Sequence, residues 1–184
     1  MASVSTPYSS TAAYFARNGL DIRPSVDSDF GHLVKIMLDA YRETSRKIFE
    51  RERRDAEGLR LAFFGEDEQD PSRRVFYTVE DSGAVVGSGG LLQYDPEEKP
   101  GIGYLSFVCL KPPYRRKGLG EALTKDLLRK AKRLRFERVR LLTRAEFEAA
   151  VCLYRKLGFR RARTQDFSGR YISLEKRIIA PQSP

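Results

Sequence analysis

Val108-Cys109-Leu110-Lys111-Pro112-Pro113-Tyr114-Arg115-Arg116-Lys117-Gly118-Leu119-Gly120 holds the reading that decides the fold. The apolar residues close a strand that begins near Gly103, and two prolines end it, since proline cannot continue a ladder of hydrogen bonds. A basic turn follows, and Gly118-Leu119-Gly120 opens a helix. Residues without bulk let a ligand approach the main chain closely. The first turn of a helix offers unpaired N–H groups and a partial positive charge to an anion. Arg115, Arg116 and Lys117 add full charges at the same place. The stretch therefore reads as a phosphate cradle. It is not a Walker A loop, because no Gly-Lys-Ser/Thr follows an earlier glycine at the required interval, and it lacks the third glycine of a dinucleotide fingerprint. Taken alone, a Gly-x-Gly is equally an ordinary strand-to-helix connection with solvated basic residues.

Periodicity extends the reading in both directions. Downstream, residues 118–134 carry Leu119, Ala122, Leu123, Leu127, Leu128, Ala131 and Leu134 as one helical stripe. Residues 137–142 alternate as a strand. Phe147, Ala150, Val151, Tyr154 and Leu157 mark a further helix that Gly158 caps. Strands at 159–164 and 171–174 then flank a turn at Ser168-Gly169. Upstream, residues 103–110 read as a strand buried on both faces. Val75–Val79 and Ala84–Tyr94 form a hairpin about Asp81-Ser82-Gly83, and residues 95–101 make another turn. Leu20–Pro24 reads as a first strand, followed by a helix capped by Asp27 or Ser28 and carrying Phe30, Leu33, Val34, Met37, Leu38 and Tyr41. A charged helical stretch is expected at 45–57 and a loop at 65–74. Residues 1–19, rich in Ser, Thr and Ala, read as a flexible or loosely docked tail. Residues 20–178 form a single domain, and 179–184 a second tail.

Composition narrows the function classes. The 184 residues are 41% hydrophobic and 32% charged, a soluble globular balance with too many aromatic residues for a disordered chain. No apolar run reaches the roughly 20 residues of a membrane span. Two cysteines, Cys109 and Cys152, cannot staple a secreted scaffold and point to a reducing, cytoplasmic setting. A single histidine, His32, excludes any metal site that needs two His ligands, and no metal is expected. Residues 111–163 hold 18 lysines and arginines and 5 acids, a net of +13 within a chain of net +9. A polyanionic partner thus fits the second half, although much of this charge is the solvated face of the helix at 118–134.

Arg115-x-x-Gly118-x-Gly120 resembles the Arg/Gln-x-x-Gly-x-Gly/Ala signature of the GNAT superfamily of acyl-CoA-dependent N-acetyltransferases. The lead-in Leu110-Lys111-Pro112-Pro113-Tyr114-Arg115 is similar to the family's. So is Ala150-Val151-Cys152-Leu153-Tyr154-Arg155-Lys156-Leu157-Gly158-Phe159, which resembles its Ala-x-x-Leu-Tyr-x-x-x-Gly-Phe helix end. In element order the likeness spans residues 20–176, and in motif 104–159. It implies an α/β fold: a mixed, mostly antiparallel sheet splayed into a V, with helices on both faces. Acetyl-CoA would lie where the strand at 103–110 parts from the strand at 137–142. Its pantetheine arm would pair with the backbone of Val108, Cys109 and Leu110, and its pyrophosphate would rest on the amides of residues 115 to 120, from Arg115 through Arg116, Lys117, Gly118 and Leu119 to Gly120.

The implied reaction is direct attack of a neutral primary amine on the thioester. The N–H of Leu110 would face the developing oxyanion. Tyr154 would act as general acid to the CoA thiolate, although its spacing is also that of a core tyrosine. Tyr104 occupies the position where some members carry a catalytic glutamate, and is either a second catalytic residue or a strand aromatic. Phe147 stands where the family often has Asn, which removes one polar contact. Cys109 and Cys152 read as packing residues, because His32, the one candidate activator, belongs to a distant helix. The acceptor is a small molecule, a protein lysine or an N-terminus, and a homodimer is compatible with the resemblance. Two other classes stay open: a non-catalytic acyl-CoA-binding module, and, ranked last, a nucleic-acid-binding protein.

Overall fold

In the computed structural model, which describes residues 9–46, 74–93, 101–162 and 171–178, Ser82 and Gly83 both take left-handed angles (φ 51° and 81°). That pair makes the tight turn a two-residue hairpin requires. It joins β2 (Val75–Asp81) to β3 (Ala84–Leu92), as the sequence predicts. The hairpin is the start of a seven-stranded sheet of order β1-β2-β3-β4-β5-β7-β6. Here β1 is Asp21–Pro24, β4 Ile102–Leu110, β5 Arg138–Thr143, β6 Arg160–Arg161 and β7 Ile172–Arg177. Each neighbouring pair is antiparallel except β4–β5, which is parallel. The mixed, mostly antiparallel sheet expected from the sequence is the one observed.

The parallel pair is short. Only Ile102–Tyr104 of β4 align with Arg138–Arg140 of β5, and beyond that register the strands have no pairing with each other. A bulge accompanies the departure. Ser88 of β3 faces Cys109 whereas Gly90 faces Ser106, so β4 carries an extra residue, and Phe107 there takes φ 53°. An inserted residue bends a strand and increases its twist. Ser88 Oγ holds the bulge by donating to the Phe107 carbonyl at 2.7 Å. As a result Ser106–Cys109 are only half-buried, which corrects the expectation of a strand enclosed on both faces: the neighbour that would cover it has diverged.

Helices cover both faces. On one, α3 (Leu119–Arg133) buries Leu119, Leu123, Leu127 and Ala131 at four-residue steps against Tyr77, Leu91, Leu105 and Phe136. Ala122, Leu128 and Leu134, assigned to the same stripe from sequence, pack only partly buried at its margin. On the other face α2 (Phe30–Thr44) sets Leu33 and Ile36 against Val85, Phe76, Phe107 and Cys109. Each buried Leu or Ile contributes roughly 1.5–3 kcal/mol. Neither Asp27 nor Ser28 caps α2 with its side chain. A 3-10 turn at Asp27–Asp29 precedes it, and the Asp29 carboxylate accepts from the Val26 N–H at 2.9 Å and from Arg23 at 2.7 and 2.8 Å. The fourth described helix, α4 (Glu148–Lys156), ends where the sequence places its glycine: Gly158 N–H bonds Arg155 O and Phe159 N–H bonds Tyr154 O, the paired closure that satisfies orphan carbonyls.

Residues 9–19 depart from the expected tail. Ser9–Arg17 is a helix, α1, with Phe15 fully buried in the main core and Thr11 nearly so. It closes with the same paired motif, Gly19 N–H to Ala16 O and Leu20 N–H to Phe15 O. The apolar side chain of Phe15, rather than charge patterning, holds it to α3 and β1. Residues 1–8 and 179–184, the predicted helix beyond residue 46, the predicted loop up to residue 73, the turn at 95–100 and the turn at Ser168-Gly169 lie outside the described residues.

Candidate functional site

The parted ends of β4 and β5 open a cleft of about 1250 Å³, and the described residues lining it include Tyr104, Val108, Cys109, Leu110, Arg115, Arg116, Gly118, Gly120 and Tyr154. One backbone detail sets its chemistry. The N–H of Lys111 donates to Val86 O at 2.8 Å while Leu110 lies opposite Gly87. That pattern makes Leu110 a non-hydrogen-bonded position of the β3–β4 ladder, so its own N–H and C=O face the gap instead. Its carbonyl is met by Arg115 Nε at 2.7 Å, which leaves the amide as the donor on that wall. By the same alternation the backbone of Val108 faces the gap and that of Cys109 faces β3. An added strand would thus find partners at Val108 and Leu110 but not at Cys109, whose thiol is turned toward Ser88 Oγ at 3.2 Å and pushed up in pKa by burial.

At the mouth, the turn and the first turn of α3 form a concavity of main-chain donors. Arg116 and Gly118 both take left-handed angles (φ 63° and 76°), a sequence of conformations that gathers N–H groups on one side. Among the described residues the first helical bond runs from Ala122 N–H to Gly118 O. The amides of residues 116–121 therefore have no backbone acceptor, whereas the Arg115 amide is used, bonding to Pro112 O at 3.1 Å. Of the amides at 115–120 expected to meet a diphosphate, that of Arg115 is engaged by a backbone carbonyl. The Lys117 side chain leans over the Tyr114 ring at 5.8 Å, and Leu119 is buried in the core as its place in the helical stripe predicts. Glu121, an acid beside the donors, is paired with Lys125 and Lys156, which hold its pKa down at about 2 and offset its charge. Arg115 also pairs with Glu43 of α2 at 2.5 Å, tying the turn to the helix across the cleft.

The two tyrosines sit at different depths. Tyr154 is 7% exposed, its ring edge-on to Phe159 at 5.7 Å, and burial, with a smaller contribution from nearby Cys109, raises its pKa well above the usual phenol value. It keeps its proton at neutral pH. Tyr104 stands at the apex where β4 and β5 last pair, opposite Arg140, and its hydroxyl hydrogen-bonds that guanidinium, which also holds Glu175 at 2.5 Å. Sequence reasoning missed most of the far end of the cleft. Tyr41 of α2 packs its ring on Phe147 at 5.5 Å, and the buried Arg144 lies 4.5 Å from the Tyr171 ring centre and donates to its hydroxyl at 3.1 Å. Arg144 directly follows a strand end at the point where the sheet divides, a position where α/β sheets bind ligands, and that signal could have found it. Tyr171 and Glu43 carried none. Cys152 is exposed, not packed as expected, and His32 is an exposed residue of α2.

A sheet that parts beside a strand, glycine turn and helix places the molecule among α/β proteins with a cleft at the carboxyl end of diverging strands. The comparisons make the class specific: the model of the GNAT acetyltransferase family matches residues 34–159, and the chain belongs to that family. Its fold is shared by a GNAT acetyltransferase of Staphylococcus aureus Mu50 (TM-score 0.69, 18% identity, 87% of this chain and 99% of that one). It is similar as well to the PaiA N-acetyltransferase of Thermoplasma acidophilum in complex with coenzyme A (TM-score 0.66, 20% identity, 86% and 98%). A third likeness is to YncA of Salmonella typhimurium, a protein solved with acetyl-CoA (TM-score 0.62, 18% identity, 91% and 98%). No curated protein matches the chain.

Proposed function

We propose that the protein is an N-acetyltransferase that moves the acetyl group of acetyl-CoA directly to a primary amine. The observation that carries this reading is the pairing of two donor sets along one strand-turn-helix. The outward-facing Leu110 amide lies inside the gap, and the bare amides of residues 116–121 lie at its mouth. A thioester on a pantetheine arm that ends in a diphosphate fits that arrangement. Val108 and Leu110 would hold the arm, residues 116–121 the diphosphate, and Arg115 and Arg116 would add charge.

Acetyl-CoA supplies the activated acyl group; the chain supplies position and protons. As the C–N bond forms and the C–S bond breaks, the Leu110 N–H donates to the carbonyl oxygen, where negative charge develops. Tyr154 gives its proton to the departing sulfur and regains one from water. Tyr104 suits the ordering of the water through which the amine loses its proton. The acceptor is a small molecule or a protein lysine or N-terminus, and free cysteines are in keeping with a cytoplasmic enzyme.

Calorimetry with CoA and single-turnover transfer to lysine, a polyamine and a peptide N-terminus test the reading. CoA should bind, and at least one amine should be acetylated. Gly120→Asp should weaken CoA binding at least about tenfold with little change in Tm, because a carboxylate beside a diphosphate repels it strongly. A Cβ at Gly120 would make only ordinary contacts, with Leu153 at 3.7 Å and Leu110 at 4.0 Å, so charge rather than bulk would be responsible. Unchanged affinity would refute the diphosphate placement. Tight CoA binding without transfer to any amine would favour the non-catalytic module.

A further inference from the structure

We propose that Tyr14, on a helix outside the stretch matched by the family model, is a positioning residue that aims the diphosphate-binding turn; the inference rests on the cofactor reading above. Its hydroxyl donates to the Lys117 carbonyl at 2.9 Å. A peptide unit is planar, and this one is trans, so its C=O and N–H point in opposite directions. Holding the Lys117 oxygen toward α1 therefore turns the Gly118 N–H away from α1, and Gly118 is one of the residues that line the cleft.

The peptide needs such a hold. It lies between Arg116 and Gly118, both left-handed, in a turn whose amides have no backbone acceptor among the described residues. A Cβ at Gly118 would come within 2.5 Å of the Tyr14 hydroxyl, so the phenol fills the space directly over the glycine. The helix that carries it is itself anchored to α3. Phe15 is fully buried, and Thr11 donates to Asp126 at 3.2 Å while Arg129 reaches both Thr11 and Asp126, at 2.5 and 2.8 Å. One short helix thus grips the body of α3 and, through a single hydroxyl, the turn that leads into it.

Tyr14→Phe keeps the ring and removes the tether. The Kd for CoA should rise about fivefold to tenfold, the net worth of one such hydrogen bond. The Kd for pantetheine, which lacks the diphosphate, should stay within about twofold when followed by NMR shifts, on the same scale of affinity. In the free protein the Gly118 amide should exchange faster, and Tm should fall by no more than about 2–4 °C, the loss of one hydrogen bond. Tyr14→Met, a second variant without the hydroxyl, should show the same CoA-selective loss. An unchanged CoA affinity in both variants, or parallel losses for CoA and pantetheine, would overturn the role and leave Tyr14 a packing residue. Wild-type protein that binds no CoA would instead bring down the cofactor reading, and this inference with it.

Discussion

Tyr154 and Tyr104 both line the cleft, yet their hydroxyls meet different company. Tyr104 is committed to Arg140 and, through it, to Glu175. The Tyr154 hydroxyl has no hydrogen-bond partner among the described residues, and burial keeps it protonated. A phenol held in that state can give a hydrogen bond to sulfur at any pH at which the amine is reactive. Tyr154→Phe should accordingly lower kcat about 100-fold, the low end of general-acid contributions, and leave the Kd for CoA within about twofold. Steady-state kinetics beside calorimetry would check the split. An equal loss in both quantities would mark the ring as packing against Phe159 and nothing more. The neighbouring glycines separate in the same way: Gly118 is required by its positive φ, whereas the open surroundings of Gly120 leave charge as the stringent constraint.

At the scale of elements, the start of α2 is fixed by ionic contacts that the sequence did not announce. Asp29 accepts from Arg23, from the Val26 N–H and from Thr78 at 2.9 Å, and Arg23 also holds Glu80 at 2.6 Å. The guanidinium, against some cost of burial, lowers the Asp29 pKa to about 2. Because the folded value lies below the unfolded one, the unfolded chain binds more protons as pH falls, and the stabilisation disappears between about pH 4 and pH 2. It amounts to about 1–2 kcal/mol once the partly exposed Arg23 is discounted. Asp29→Asn should lower Tm at pH 7 and show a smaller further drop on going to pH 3 than the wild type; thermal melts at the two pH values would measure both. Elements whose burial followed a period were legible in the sequence: the α3 stripe, the hairpin and the glycine that closes α4. The helix at Ser9–Arg17 was not, because only Phe15 and Thr11 turn fully inward and its composition, with Arg17 the one charged residue, resembles a tail. Asn18-Gly19-Leu20 was its one visible signal, the same closure that Gly158 announced for α4. The Arg23–Asp29–Glu80 cluster joins residues far apart in the chain, and no local pattern could have predicted it.

For the molecule as a whole, the sheet is two half-sheets joined over three residue pairs. β1 to β4 form one half and β5 to β7 the other, and the seam is the short parallel contact of Ile102–Tyr104 with Arg138–Arg140. The motifs at Arg115–Gly120 and Tyr154–Phe159 made this division readable, since they stand on either side of the seam. The far wall, with Tyr41, Arg144 and Tyr171, was not readable, because it is assembled from three separate segments. A seam so short leaves the outer parts of β4 with unpaired donors that a bound arm would satisfy. Occupancy should then stabilise the whole fold and not only the cradle. At 100 times Kd, CoA should add about 2.7 kcal/mol by mass action, which corresponds to a rise in Tm of about 5–10 °C for a chain of this size. Hydrogen exchange should slow at the amides of Val108 and Leu110 as well as at residues 116–121. Protection confined to residues 116–121 would mean that the nucleotide end alone is held, and that the gap between β4 and β5 does not receive the thioester.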